Sequence, residues 1–319
     1  LTHARNLSRG EKVMSRTLYK SIILAGLVSS GFINSINTQA DELPTVVVSA
    51  TRSEQSTVTT SASINIISRD QIELSGANNL SEVLRGQAGL QVFDLFGDSS
   101  STVISFRGFS ENANSNTLVM VDGRRLNYTD TRAPDLSYVS LNDIERIEII
   151  EGSSGVLFGD QAVGGVINII TRKPEKFNAL IGLQAGSFNR KGVSVYVGDV
   201  NENGFSYKLN AEAFMTDNYR DHNEHSNVNV SAYAAQEYSK GSVFAEVQVV
   251  EDDLELPGAV IQAELDADRT QSNAGFINDF SNTDTRVKRI GIKHAVNDSW
   301  ALEAELTKRE TDQDIEQSF

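Results

Sequence analysis

The fold of this chain is decided by one stretch, Ile144-Glu-Arg-Ile-Glu-Ile-Ile-Glu-Gly-Ser-Ser-Gly-Val-Leu-Phe-Gly-Asp-Gln-Ala-Val-Gly-Gly-Val-Ile-Asn-Ile-Ile-Thr171. Two β-rich runs, residues 147–150 and 166–171, flank a glycine-rich segment. Its glycines are Gly152, Gly155, Gly159, Gly164 and Gly165. Glycine lets the backbone adopt positive φ and approach other segments closely, so we predict two strands joined by tight turns. A compact mixed α/β pattern precedes the stretch, and long strands of alternating polarity, with no further helix pattern, follow it.

The composition excludes several classes of function. The 319 residues carry a formal net charge of −15, which argues against a nucleic-acid partner because phosphate binding needs a basic face. The chain has no cysteine, so a disulfide framework, a thiolate metal site and a cysteine nucleophile are excluded. The mean hydropathy of −0.27 suits a soluble protein, and it suits a membrane β-barrel equally well because only alternate residues of such a barrel face lipid.

The N-terminus has the pattern of a targeting segment. A basic stretch after Met14 precedes an apolar run at residues 21–33. As a helix this run would be roughly 20 Å long, whereas the hydrocarbon core of a bilayer is about 30 Å thick. Small residues before Asp41 fit a cleavage site. We therefore predict that residues 1–40 comprise upstream residues and a cleaved signal peptide, rather than a retained anchor helix.

Residues 41–63 are a polar segment that precedes the first domain and contains one apolar patch. The patch consists of Leu43, Pro44, Thr45, Val46, Val47, Val48, Ser49 and Ala50. Three successive valines favour an extended backbone. The patch is either an ordinary edge strand or a segment offered to a partner protein, which would bind it by strand addition.

Residues 64–174 have the pattern of one α/β domain. The predicted elements are a strand at 64–67, a helix capped by Ser68 and Gln71, a helix at 79–85 ended by Gly86 and Gly89, strands at 103–106 and 117–121, a turn at Asp122-Gly123, and one helical turn at 143–146.

Residues 175–319 form the next predicted region, and from Phe177 the apolar residues recur with a period of two. We predict seven strands of about ten residues each, as membrane-spanning strands require. Tight turns join them on one side, and longer connections, above all residues 252–282, lie on the other side. This asymmetry is typical of outer-membrane barrels, and the alternative is a soluble antiparallel sandwich.

Together these features resemble the TonB-dependent outer-membrane receptors, from about residue 41 to the C-terminus. Five segments carry the resemblance: residues 43–50 to the TonB box, 79–92 to the plug helix and following strand, 104–109 to an I-R-G element, 117–125 to a V-L-V-D-G strand, and 144–171 to the last plug segment. In that last segment Glu151, Ser153 and Phe158 stand where the family usually has Arg, Pro and Tyr. The change at Glu151 puts in doubt any ion pair that the family's Arg makes.

The resemblance implies an α+β plug domain followed by antiparallel strands of a transmembrane β-barrel. It implies that the plug contacts the barrel wall through ion pairs of Arg107, Glu145, Arg146 and Glu148, which are otherwise solvated charges at a sheet edge. The five glycines would form tight turns, whereas a phosphate-binding loop is disfavoured because no Lys-Ser/Thr follows them. Seven strands of about 22 are present, so we expect this sequence to be the N-terminal part of a longer protein.

Substrate is expected at plug loops that face outwards. The candidate contacts are Phe96, Phe109, Asn112, Asn114, Tyr128 and Arg132, and a generic solvated loop is the alternative for each. The acidic residues of the 252–282 connection raise the hypothesis of a Ca²⁺ site. His222 and His225 lie in a polar segment, where we interpret them as solvated. No spacing of histidines predicts a resident metal.

The function implied by the resemblance is uptake of a ferric siderophore or cobalamin through the outer membrane of a Gram-negative bacterium. TonB, with its inner-membrane energising complex, and outer-membrane lipid are the implied partners. We expect no cofactor and no enzymatic activity. Two other classes stay open, an outer-membrane adhesin or binding protein without transport, and a secreted hydrolase, against which the lack of a nucleophile–base pattern stands.

Overall fold

The computed structural model describes residues 46–47, 55–56, 63–94, 99, 101–106, 110–297 and 299–318. Residues 46–47, 55–56 and 110–111 are described by their backbone alone. The chain divides into two compact units, one ending at Lys173 and the other beginning at Pro174. No helix among the described residues has both the length and the apolar character needed to cross a bilayer.

The first unit contains nine strands and three short helices among its described residues. The strands are β1 (Val46–Val47), β2 (Gln55–Ser56), β3 (Ser63–Ser68), β4 (Leu90–Asp94), β5 (Thr102–Phe106), β6 (Thr117–Val121), β7 (Arg124–Arg125), β8 (Ile144–Glu151) and β9 (Gly165–Thr171). The helices are α1 (Arg69–Ser75), α2 (Leu80–Arg85) and α3 (Gly155–Phe158). Short 3₁₀ turns occur at Ser110–Ser115 and Leu141–Asp143.

The core of this unit is a five-stranded sheet in the order β3-β8-β9-β6-β7. Strands β6 and β9 are parallel, and the other neighbours are antiparallel. A strand that is covered on both faces has a continuous apolar sequence rather than an alternating one. That is the pattern of β6, in which all five residues are buried, and of β9, in which only Thr171 is partly exposed.

The local signals at the helix ends are confirmed. Ser68 and Gln71 form the predicted capping box of α1. The side chain of Asn79 accepts a hydrogen bond from the backbone N–H of Glu82 at the start of α2. These caps satisfy N–H groups that have no partner inside a helix.

The helical turn predicted at residues 143–146 is wrong. The 3₁₀ turn ends at Asp143, and β8 begins at the next residue, Ile144. Ile144 is fully buried and pairs with Thr171 of β9. Burial and ladder pairing therefore outweigh the weak helical preference of this short segment.

The second unit is a seven-stranded antiparallel sheet whose strands are adjacent in chain order. They are β10 (Asn178–Ala185), β11 (Lys191–Val200), β12 (Phe205–Thr216), β13 (His225–Tyr238), β14 (Gly241–Glu255), β15 (Phe280–Asn297) and β16 (Trp300–Glu316). The predicted number of strands is confirmed. The last four strands have 14, 15, 18 and 17 residues, longer than predicted, because their polar ends continue the ladder past the apolar alternation.

The connections of the sheet differ between the two ends of its strands. At one end the strands are joined by tight connections, residues 201–204, 239–240 and 298–299. At the other end, which we call the long-loop end, they are joined by residues 186–190, 217–224 and 256–279. The last of these contains a helix, α4 (Gln262–Ala267), and a 3₁₀ turn at Ala274–Phe276. The expectation of no helix after Thr171 is therefore wrong. Glu264 caps this exposed helix by accepting from the N–H of Ile261 at 2.9 Å, a local contact that needs no apolar periodicity.

The two faces of the sheet differ in polarity. The register places exposed aliphatic side chains on one face, which we call the apolar face: Ile181, Leu183, Leu209, Val230, Val243, Val247, Val249, Ile290, Ile292, Leu302 and Leu306. The other face is polar. There Arg289 is only 5% exposed and donates to both carboxylate oxygens of Glu305, at 3.0 and 3.1 Å, and to Glu246 at 2.6 Å.

Candidate functional site

The predicted partner-binding segment is described only at its centre. The backbones of Val46 and Val47 are extended, and they pair antiparallel with Ser56 and Gln55. Leu43, Pro44, Thr45, Val48, Ser49 and Ala50 lie outside the described residues. The extended backbone suits strand addition, although binding of a partner here stays a prediction.

The charges of β8 are partly paired within the sheet itself. Nε and Nη2 of Arg146 each lie 2.8 Å from Oε1 of Glu148, two residues along the strand and on the same face. Glu148 is fully buried, so this charge-assisted pairing offsets the cost of removing the carboxylate from water. Glu145 is exposed, and Arg107 lies outside the described residues. Contact of these four residues with a barrel wall stays a prediction.

The five glycines of the stretch between β8 and β9 have different conformations. Gly152 and Gly159 have positive φ angles of 96° and 91°, which side chains rarely adopt. Gly165 permits a close approach, because a Cβ there would lie 2.6 Å from the carbonyl oxygen of Ile150 and 2.6 Å from the ring of Phe106. Gly155 and Gly164 lie outside the left-handed region.

Two of the loops that contain predicted substrate contacts, residues 110–116 and 127–134, are joined by a buried asparagine, Asn127. Its side-chain oxygen accepts from the N–H of Val119 at 2.8 Å. Its amide nitrogen donates to the carbonyls of Thr117 at 2.9 Å and Asn114 at 3.2 Å. Asn127 therefore holds residues 127–134 against the 3₁₀ turn Ser110–Ser115.

Four of the predicted substrate contacts lie on these joined loops, and we call Asn112, Asn114, Tyr128 and Arg132 the loop cluster. Asn114 donates to the carbonyl of Thr131 at 3.0 Å, and Asn116 donates to the carbonyl of Asn112 at 2.7 Å. The side-chain oxygen of Asn114 is buried and accepts no hydrogen bond from the described residues. Phe96 and Phe109 lie outside the described residues.

The exposed rim of the loop cluster contains a cation and an aromatic ring. The guanidinium of Arg132 lies over the ring of Tyr128, 4.3 Å from its centroid, and Nε of Arg132 lies 2.8 Å from Asp130. The backbone N–H of Arg132, and then its side chain, donate to Asp130 and lower the pKa of that carboxyl below its ordinary value of 3.8. The rim can therefore present donors, a ring face and a carboxylate that is ionised at neutral pH.

Sequence reasoning missed two further residues that border the loop cluster. Arg125 lies 3.3 Å from Asp160 and 3.1 Å from Gln161, and it also donates to the carbonyl of Phe158. Gln161 donates to the carbonyl of Tyr128 at 3.1 Å. The glycine-rich stretch therefore packs beside residues 125–128. The hairpin signal at Asp122-Gly123 implied that the chain reverses there, but no local signal indicated that Arg125 reaches a loop more than 30 residues away.

The interpretation of His225 as solvated is wrong. His225 begins β13 and is 6% exposed, and its Nε2 lies 3.2 Å from Oδ2 of Asp252 on β14. Asn227 donates to the same carboxylate oxygen at 2.6 Å. Cross-strand pairing of β13 with β14 brings these groups together, which the sequence spacing of 27 residues did not indicate.

The acidic residues that suggested a Ca²⁺ site are not gathered. Asp252 faces His225, Glu264 caps α4, and Asp268 accepts from the backbone and hydroxyl of Thr270. Among the described residues, no three acidic or histidine side chains are grouped so as to hold a metal ion. The acidic side chains that are close together in the sequence therefore lie apart in the structure and have different partners.

Comparison with known proteins bears on both units. Residues 56–166 match the family model of the TonB-dependent receptor plug domain. The vitamin B12 transporter BtuB of Vibrio vulnificus is 32% identical over 197 residues, which are 61% of this chain and 32% of that protein. The family-model match identifies residues 56–166 as a TonB-dependent receptor plug domain. The matched segment includes the α/β sheet up to the start of β9, the loop cluster and the turns between β8 and β9, so the resemblance stated from the sequence is confirmed.

A second relative has an iron-related name. The iron-regulated outer membrane virulence protein of Vibrio cholerae is 36% identical over 163 residues, covering 49% of this chain and 24% of that protein. The chain thus spans about a third or less of the length of the curated relatives it matches.

Solved structures show the receptor fold across both units. The ferric citrate transporter FecA in its unliganded form matches with a TM-score of 0.68 and 22% identity, over 81% of this chain and 41% of that chain. FpvA of Pseudomonas aeruginosa, bound to a heterologous pyoverdine, matches with a TM-score of 0.67 and 20% identity, over 83% and 36%. The α+β plug domain and the antiparallel strands of TonB-dependent receptor barrels are therefore the fold of this chain.

Proposed function

We propose that this receptor binds a scarce nutrient, a ferric siderophore or cobalamin, outside the cell and passes it to the periplasm with energy relayed by TonB. The observation that carries the proposal is a plug domain followed in sequence by a seven-stranded antiparallel sheet with one apolar face. A barrel wide enough to contain a plug is closed until the plug moves. That movement is the step for which energy from the inner-membrane complex is needed, and no nucleotide site in this chain is required.

We place the second unit in the outer membrane of a Gram-negative bacterium, with lipid as the partner of its apolar face. The exposed aliphatic side chains of that face support this placement. Along β16, apolar residues alternate from Trp300 to Leu306, which is about 20 Å of strand. Export would follow cleavage of a signal peptide before Asp41, which mass spectrometry of the mature N-terminus would test.

We infer that TonB binds residues 43–50 by strand addition. The extended backbone of Val46 and Val47 supports this inference, since within the described residues β1 pairs only with β2. Main-chain hydrogen bonds supply the affinity in this mode of recognition, so backbone donors matter more than side chains.

For the ligand, we propose that the loop cluster supplies plug contacts. Arg132 offers charged donors to an anionic or carbonyl-rich ligand, and Tyr128 offers a ring face. Asn112 is exposed, and the buried oxygen of Asn114 would accept a hydrogen bond from a ligand donor once the loop opens. The names of the relatives, a vitamin B12 transporter and an iron-regulated virulence protein, support both nutrient classes.

Growth of the native host tests the proposal. The gene is deleted, and cells are grown with cobalamin as the limiting nutrient or with ferric siderophores as the only iron source. We expect growth to fail on one of these nutrients, to return with the intact gene, and not to return with Val47→Pro, which removes a backbone donor. Val47→Ala is the matched control, since it keeps the backbone N–H. Normal growth of the deletion strain on both nutrients, or full rescue by Val47→Pro, would contradict the proposal.

A further inference from the structure

The longest connection of the second unit has a narrow neck. In residues 256–279, the N–H of Asn273 donates to the carbonyl of Pro257 at 2.9 Å, and the side chain of Asn273 donates to the carbonyl of Ala259 at 2.7 Å. These two bonds bring the beginning and the end of the connection together. The segment between them, which includes α4, therefore forms a lobe closed at its base, which we call the lobe.

A residue from a different connection occupies this neck. Arg220 lies in residues 217–224, and its guanidinium donates four hydrogen bonds to three main-chain carbonyls of the longer connection. The bonds run from Nη1 to Gly258 at 2.7 Å, from Nη2 to Pro257 at 3.3 Å and Gln271 at 2.9 Å, and from Nε to Gln271 at 3.2 Å. Arg220 thus ties both sides of the neck to one rigid group.

The acceptors of Arg220 make these bonds sensitive to the shape of the neck. No carboxylate within the described part of the chain forms an ion pair with Arg220, so its charge is stabilised by carbonyl dipoles alone. A flexible carboxylate can follow a moving cation, whereas three main-chain carbonyls on two segments cannot. If the neck opens, the guanidinium loses acceptors on one side, and the partly buried cation is left undersatisfied.

Neighbouring residues of the same connection add further bonds to the longer one. The N–H of Asp221 donates to the carbonyl of Thr270 at 2.7 Å, and Nε2 of His222 donates to the carbonyl of Asp279 at 3.0 Å. Asn223 donates to the carbonyl of Glu255, the last residue of β14, at 3.1 Å. Residues 220–222 therefore contact the longer connection near both of its ends, at residues 257–258, 270–271 and 279.

The neck is also packed around a glycine. Gly258 has a φ of +68°, and a Cβ at this position would lie 2.4 Å from Cγ of Phe276. The ring of Phe276 therefore lies directly against the backbone that accepts from Arg220. A second substitution, at Gly258, can disturb the neck without changing any charge.

We propose that Arg220 is a positioning residue that couples residues 217–224 and 256–279 into one body, so that the two connections open and close together. If the proposed function is correct, the long-loop end of the sheet faces the ligand, and the coupled body then controls access of the ligand as a single lid. The coupling itself does not depend on transport.

Hydrogen exchange of the full-length chain tests the coupling. In the unaltered protein, peptides from 217–224 and 256–279 exchange with matched opening rates. In Arg220→Ala, we expect exchange in 256–279 to accelerate about tenfold or more, from loss of several bonds, and to diverge from that in 217–224, while the β13–β14 ladder is unchanged. Arg220→Lys keeps the charge but not the fork of donors, and should give an intermediate acceleration. Gly258→Ala should loosen 256–279 in the same way.

Arg269→Ala is the matched control, because it also removes one arginine side chain, and Arg269 lies in the lobe itself. Arg269 is exposed, and its side chain makes no hydrogen bond or ion pair within the described residues. We expect no change in exchange for this variant. Unchanged exchange in 256–279 for Arg220→Ala would overturn the proposal. So would equal acceleration of the loops and the β13–β14 ladder in both Arg220 variants, since Arg220 would then stabilise the whole unit. Failure to find a transported nutrient would leave these exchange results intact.

Discussion

Asp122 and Thr171, 49 residues apart, are joined by two hydrogen bonds. The backbone N–H of Thr171 donates to Oδ1 of Asp122 at 2.9 Å, and the hydroxyl of Thr171 donates to Oδ2 at 2.8 Å. Asp122 is in the turn after β6 with a φ of 49°, and Thr171 is the last residue of β9. The pair therefore fastens the turn of one strand to the end of its parallel neighbour.

Replacing Asp122 with alanine should destabilise the first unit by about 1–3 kcal/mol, because two donors on Thr171 lose a charged acceptor and alanine disfavours positive φ. Asp122→Asn is the matched comparison, since asparagine tolerates this φ and keeps one acceptor oxygen, and it should cost less. Thermal unfolding of the full-length chain measures both. Equal stability of the two variants would contradict the prediction, because neither the tolerance of positive φ nor the acceptor oxygen that asparagine keeps would then contribute to stability.

Gly165 should be irreplaceable in β9. Its added Cβ would overlap the carbonyl oxygen of Ile150 and the ring of Phe106, both at 2.6 Å, so Gly165→Ala should cost about 1–3 kcal/mol or more. Gly155→Ala is the control, because nothing lies within 4 Å of a Cβ there and its φ is not positive. Chemical unfolding of the two variants compares them directly. A Gly165→Ala protein as stable as the control would mean that β8 and Phe106 can move apart at little cost.

Asn127 should be required for order in the loop cluster. Asn127→Asp keeps the oxygen that accepts from Val119 but turns the donating nitrogen into an oxygen facing the carbonyls of Thr117 and Asn114. We expect a loss of about 2–4 kcal/mol from buried repulsion and lost bonds, seen as faster hydrogen exchange in residues 110–134. Asn116→Asp is a partly exposed control with a single side-chain bond to Asn112, and it should have a smaller effect.

The pKa of Asp130 gives a pH-dependent prediction for the rim of the loop cluster. Because its pKa is lowered from 3.8, its interaction with Arg132 is fully present above pH 3.8 and is lost as the pH falls through the lowered folded value. The rim should therefore be insensitive to pH near neutrality. In Arg132→Ala, the pKa of Asp130 should rise only part of the way back to its ordinary value. The largest cause of the lowered pKa is the backbone N–H of Arg132, which alanine keeps.

Arg132→Pro should return more of that shift, since proline also removes the backbone N–H. Carboxyl chemical shifts of Asp130 followed by NMR during a pH titration would measure all three proteins. A full return of the pKa in Arg132→Ala would contradict the stated order of causes.

Much of the fold could be predicted from local patterns. The capping box of α1 depends on residues three positions apart, and the turn at Asp122-Gly123 depends on two neighbours that accept positive φ. The period of two after residue 175 follows from strands with one apolar and one polar face. In each case the physical cause acts between residues close in sequence, so the residues themselves reveal it.

Other features depended on contacts between residues far apart in sequence. Three sets of contacts join segments 27 to 51 residues apart. His225 packs against Asp252, Arg125 contacts Phe158 and Asp160, and Arg220 donates to the carbonyl of Gln271 at the neck of the lobe. No local pattern specifies which distant carbonyl or carboxylate will face a given side chain, because strand register and loop path decide it. The sequence alone determined that this chain has a plug-like α/β unit and a two-faced antiparallel sheet. Only the tertiary structure decided which polar groups meet at the loops, because each such pairing exists only after the strands have set the distances between them.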